Sequence, residues 1–132
     1  MVAVGEIGFD SMTAEEEKAF VRQLELAVEF ELPAMVHTPA PRQGGRHPAH
    51  AGARRGLRAR PPHRVVVDHL NEMTVGQVAE SGCWMGFSIY PDTKMDEHRM
   101  VRILEERGLD RVLVNSAADW GRSDPLKTAS TG

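Results

Sequence analysis

Apolar residues along this chain gather into short blocks separated by longer stretches of mixed polarity. Val2 to Phe9, Pro33 to Pro39, Arg64 to Leu70, Cys83 to Tyr90 and Arg111 to Asn115 each read as a strand. The apolar cores of these runs are nearly continuous, as expected of strands covered on both faces in a parallel sheet. Between them lie segments with helical spacing. Thr13-Ala14-Glu15-Glu16 is a capping box, with threonine at the N-cap and glutamate three residues later. The helix it opens runs to about Glu31, with Phe20, Leu24, Ala27 and Val28 on one stripe, and Pro33 stops it. Thr74 to Ser81 reads as a short helix with Val75 and Val78 inward, ended by Gly82. Met95 to Arg107 reads as another, with Met100, Val101, Ile103 and Leu104 as its apolar residues and Gly108 at its end.

Strand–helix alternation of this kind predicts an α/β fold with a parallel sheet and right-handed crossovers. The repeat is roughly that of a (β/α)8 barrel, which needs about 250 residues to close. The chain has 132 residues. The pattern therefore predicts a partial TIM barrel, roughly strands four to eight.

Composition changes this picture in one place. The net charge is −3, so the chain as a whole does not advertise binding to nucleic acid or membrane. A single cysteine, Cys83, allows no disulfide framework, and its place at a strand start marks it as core. No apolar run approaches the roughly 18 residues of a membrane span, and no secretory leader pattern is visible, so a cytoplasmic location is expected. Between Glu31 and Asp68, however, there is no acidic residue. Within that stretch, Ala40 to Arg64 carries Arg42, Arg46, Arg54, Arg55, Arg58, Arg60 and Arg64 among prolines and glycines, with neither helical nor strand periodicity. A crossover helix belongs here. The composition instead reads as a basic, low-order segment at 40–63, and it is that of a GC-rich gene read out of frame. A frameshift hypothesis predicts that the helix is absent or badly formed. The expected organisation is a barrel portion at 1–127 interrupted at 40–63, followed by a polar tail at 128–132.

The chemistry sits at strand ends. Glu6, His37 and His69 each follow an apolar run at about equal intervals. Parallel strands share one C-terminal rim, so a carboxylate and two imidazoles would meet there, a donor set that suits a divalent metal. Each residue also has a plainer reading. His37 alone would be a hydrogen-bonded structural histidine, Glu6 a rim carboxylate without a metal, and Asp68 a supporting rather than a ligating group. His47, His50 and His63 have no regular placement, and Trp84 and Trp120 read as packing residues. Arg54 and Arg55 could meet phosphates, but without interleaved aromatic residues they make a weak nucleic-acid signal.

Gly5-Glu6-Ile7-Gly8-Phe9-Asp10, Val36-His37-Thr38-Pro39, Val67-Asp68-His69 and Val114-Asn115-Ser116-Ala117-Ala118-Asp119-Trp120-Gly121 together resemble TatD-type metal-dependent hydrolases of the amidohydrolase superfamily. The resemblance covers residues 1–39 and 64–127. It implies a TIM-type barrel with one or two divalent ions (Zn, Mn or Mg) at the C-terminal rim. It implies Glu6, His37 and His69 as metal ligands after strands four, five and six. It also implies Asp119 as a further ligand that handles the proton of the attacking water. The reaction implied is hydrolysis of an ester, amide or phosphodiester, with nucleic acid entering only as substrate. Two features depart from the family pattern. Asn115-Ser116 stands where Thr-Asp commonly follows the last strand, and no His-x-His pair of the kind on the family's first strand occurs. The expected reading is a C-terminal portion of such a hydrolase with impaired activity. The alternative is a non-catalytic remnant whose exposed sheet edges invite self-association or docking to a partner.

Overall fold

The structure, a computed structural model, describes residues 2–11, 13–37, 61–89 and 95–116. Most of the basic segment expected at 40–63 lies outside these residues, as do His47, His50, Asp119 and Trp120. The elements are β1 (Val4–Gly8), α1 (Ala14–Glu29), β2 (Ala34–His37), a 3-10 turn (Pro62–Arg64), β3 (Val65–Asp68), α2 (Val75–Ala79), β4 (Trp84–Ile89), α3 (Glu97–Arg107) and β5 (Val112–Ser116). The strands form one five-stranded sheet in the order β1-β2-β3-β4-β5, and every neighbouring pair is parallel. This is the open arc of the partial barrel expected from the alternation.

One face of the arc is dry. Ile7, Val36, Val67 and Met85 lie in register across four strands, and each is at most 4% exposed. They join Phe20, Leu24 and Ala27 of α1, Val75 of α2, and Met100 and Ile103 of α3 in a single core. Phe9 stacks on Phe20 with ring centroids 5.0 Å apart. Phe87 is fully buried at the centre of β4, and burying such a ring contributes roughly 2–3 kcal/mol. The other face of the arc is more open. Met35 and Leu113 are 37% and 41% exposed.

Several local expectations are corrected. Val28 is 52% exposed rather than on the buried stripe, because α1 presents only a narrow face to the sheet through Phe20, Leu24 and Ala27. The first strand is not covered on both faces. Val2 is 90% exposed, the strand begins at Val4, and only Ile7 within it is buried, since the described residues place β1 at the edge of the sheet. Met95 does not start α3. It bridges Ile89 in strand fashion and is buried, while the Asp96 side chain caps the helix by accepting from the Arg99 N–H.

The capping box at α1 forms in full. Thr13 Oγ1 accepts from the Glu16 N–H, and the Glu16 carboxylate accepts from the backbone N–H groups of Thr13, Ser11 and Asp10. These donors, with that of Thr13 foremost, hold the Glu16 carboxyl down at about 2, against an ordinary value of 4.5. A depressed carboxylate stabilises the fold above its unfolded pKa and loses that contribution as the pH falls through the folded one. The start of α1 is therefore expected to weaken as the pH falls from about 4.5 to about 2. An acid titration followed by helical circular dichroism should show this, and Glu16→Gln should flatten it. Phe87→Ala is expected to lower stability by about 3–5 kcal/mol, measured as a drop in the urea midpoint with little change in slope.

Candidate metal centre

Strands β1, β2 and β3 bring together, towards one rim, three side chains that could ligate a metal. Glu6 comes from β1, His37 is the last residue of β2, and His69 follows Asp68 directly after β3. His69 Nε2 is 3.0 Å from Glu6 Oε1, and His37 Nδ1 is 3.4 Å from the same oxygen. The two imidazoles meet edge to face, with centroids 4.9 Å apart. One ligand atom from each of the three residues lies within 4.8 Å of the others, a spacing at which they could hold a metal ion. Exposure is graded across the group. The Glu6 side chain is 47% exposed, that of His37 28% and that of His69 14%. An open cleft of about 220 Å³, lined by Glu6, Gly8, Asp10 and His37, leads to the carboxylate.

Local backbone features aim these groups. In β1 the register slips between Val4 and Ile7, so three steps along β1 match two along β2. This bulge falls at Gly5 and Glu6, and bulges re-aim side chains beside functional sites. Gly5 lies against Met35, where a Cβ would come within 3.0 Å of the Met35 Cβ. Gly8 stands in register with His37, and a Cβ there would lie 2.8 Å from the His37 Cβ. The two glycines around Glu6-Ile7 thus let β1 approach β2 closely at the rim. His69 adopts a left-handed conformation at φ 59°, uncommon for a residue with a side chain, and its N–H donates to Asp68 Oδ1 at 2.7 Å.

Beneath the rim is a polar set that the sequence did not single out as a unit. Asp68 and Ser88 are 5% and 2% exposed. Ser88 Oγ is 2.7 Å from His69 Nδ1 and 3.3 Å from Asp68 Oδ1. From β5, the Asn115 amide donates to both carboxylate oxygens of Asp68, at 3.2 and 3.0 Å. This contact passes over β4 at Gly86, where a Cβ would lie 2.6 Å from Asp68 Oδ1. The expected supporting role of Asp68 matches this placement. Ser88 and Asn115 were missed as its partners. The available signal was the small-residue alternation Gly86, Ser88 within an otherwise bulky strand. His63 lies in the 3-10 turn before β3, and its carbonyl accepts from Trp84 Nε1 at 3.1 Å. Cys83 is buried in the core, as expected. Asp119 lies outside the described residues.

The fold and rim can be set beside known proteins. No curated protein gives a significant match. Among solved structures, a TatD-like protein from Archaeoglobus fulgidus matches with 30% identity and a TM-score of 0.71, over 97% of this chain and 51% of its own. The chain thus spans about half the length of that protein. A phosphotriesterase homology protein from Escherichia coli, solved with phosphate in its active site, matches at 22% identity with a TM-score of 0.63, over 85% of this chain and 41% of its own. That second likeness speaks to the fold alone. The model of the TatD related DNase family matches residues 1–130. The parallel arc, the order of its strands and this match across nearly the whole sequence make the chain a member of the TatD related DNase family.

Proposed function

We propose that this chain carries part of the metal centre of a metal-dependent hydrolase, with Glu6, His37 and His69 as ligands. The observation that carries the reading is the convergence of one carboxylate oxygen and two imidazole nitrogens from three successive strand ends. The donor set fits a divalent ion. Imidazole nitrogens suit zinc, and a carboxylate adds the hard oxygen donor that zinc, manganese and magnesium accept. When bound, such an ion polarises the scissile group and makes water acidic enough to attack near neutral pH.

The chain's own residues would then divide the work. His37 and His69 present ring nitrogens at the rim. Glu6 supplies negative charge, and its exposed side faces the cleft through which a substrate could enter. Asp119 is proposed, on the family resemblance, as a further ligand that also takes the proton of the attacking water. The family's description as a DNase favours a phosphodiester as the substrate class. No His-x-His pair occurs in the 132 residues. Metal binding is accordingly assigned to this chain, and turnover is the separate question. The open sheet face at Met35 and Leu113 favours a second reading, an association module of the same ancestry. Sedimentation of the chain with and without metal bears on that reading.

Titration of the metal-free chain with Zn²⁺ and with Mn²⁺ is expected to show stoichiometric binding of at least one of them. Glu6→Gln, His37→Ala and His69→Ala should each weaken it by about a hundredfold, at the upper end of losses seen for groups around metal sites. Asp119→Asn should also weaken binding and should abolish any phosphodiester cleavage. A wild-type chain that binds neither ion, or a Glu6→Gln chain that binds as the wild type does, overturns the proposal.

A further inference from the structure

We infer that Ser88, backed by Asp68 and Asn115, is a positioning residue that fixes which ring nitrogen of His69 carries the proton. The functional meaning of this inference rests on the proposed role of His69 as a metal ligand. The hydrogen-bonded relay itself does not.

One proton decides the tautomer. Ser88 Oγ has a single hydrogen to donate and two neighbours close enough to take it, His69 Nδ1 at 2.7 Å and Asp68 Oδ1 at 3.3 Å. If the hydroxyl donates to the ring, His69 must carry its proton on Nε2, aimed at Glu6 Oε1 3.0 Å away. If it donates to Asp68, Ser88 Oγ can only accept from His69 Nδ1–H. His69 then turns the lone pair of Nε2 towards the rim, where Glu6 and His37 also point.

Two carboxylates compete to set this choice. The Glu6 side chain is 47% exposed, so water screens its attraction for an Nε2 proton. The Asp68 side chain is 7% exposed, so water competes little for its hydrogen bond with a hydroxyl that is itself buried. Asp68 is also held in place. The Asn115 amide donates to both of its oxygens, and the His69 backbone N–H donates to Oδ1. In each of these contacts an Asp68 oxygen is the acceptor, as it is towards the Ser88 hydroxyl at 3.3 Å. The Ser88 hydroxyl therefore donates to this fixed acceptor, and its oxygen is left to accept from the ring. The sequence of donors is His69 Nδ1–H to Ser88 Oγ, and Ser88 Oγ–H to Asp68. Metal-bound histidines commonly donate their second ring N–H to a carboxylate or carbonyl. Here a serine hydroxyl stands between the ring and the carboxylate. Gly86 is the reason it fits, because a Cβ there would occupy the space of Asp68 Oδ1.

The test is a two-bond ¹H–¹⁵N correlation spectrum of the histidine rings in the metal-free 132-residue chain, with His69 identified by His69→Gln. It is recorded at a pH where the spectrum itself shows the ring to be neutral. The wild type should show the Nδ1–H tautomer. Ser88→Ala should move His69 to Nε2–H or to a mixture, Ser88→Thr should restore Nδ1–H, and Zn²⁺ affinity should fall about tenfold or more in Ser88→Ala alone. A wild-type spectrum showing Nε2–H overturns the inference without need of any variant. So does a folded Ser88→Ala chain whose tautomer is unchanged. If the wild type shows Nδ1–H yet binds no Zn²⁺, the relay stands and the metal-centre reading fails.

Discussion

Parallel pairing of strands in chain order is the constraint from which the remaining features follow. Each of β1 to β5 hydrogen-bonds to its sequence neighbour in the same direction. That requires a crossover after every strand and sends every C-terminal strand end to the same rim. The crossovers that are described, α1, α2 and α3, contribute to a single core with one face of the sheet. The rim gathers side chains separated by more than 60 residues. His69 Nε2 and Glu6 Oε1 lie 3.0 Å apart with two strand intervals between their origins. No local interaction could bring them together. The backbone ladders do so, stabilised by the apolar face they bury.

The rim also depends on what is missing from the side chains beside it. Gly8 and Gly86 occupy places where a single Cβ would collide with His37 or with Asp68. Glycine in a strand interior forfeits packing and adds backbone entropy to the unfolded chain, a local cost of roughly 0.5–1 kcal/mol relative to alanine. Here that cost is offset by close strand approach at Gly8 and by room for a buried carboxylate at Gly86. The polar set under His69 then satisfies itself across three strands, from Asp68 on β3 through Ser88 on β4 to Asn115 on β5. A half-satisfied set in this place would be costly, since a buried polar group without a partner is penalised by about 1–3 kcal/mol.

Legibility in the sequence tracked how local the responsible physics was. The capping box at Thr13 and Glu16 forms as expected, because its donors and acceptors lie within one turn. The positive φ of 84° at Gly108 ends α3 where a glycine after the helical pattern predicts it. Val28 and Val2 failed because periodicity says which residues could be buried, not how wide a face the neighbouring element offers. Met95 failed for a similar reason. Its apolar side chain continues the helical pattern, yet the backbone there bridges Ile89 instead.

For the site, the sequence by itself determined which candidate ligands stand along the rim and the direction in which those strands run. Repeating apolar blocks ending on Glu6, His37 and Asp68-His69 are enough, because strand polarity follows from the need for crossovers. The tertiary structure alone decided how these groups are supported. The bulge at Gly5-Glu6, the left-handed turn at His69 and the reach of Asn115 over Gly86 to Asp68 all involve partners distant in sequence. A hydrogen-bond partner is fixed by register and by the space between strands. Neither is encoded in any one stretch of residues. Both arise only when the strands are aligned against each other.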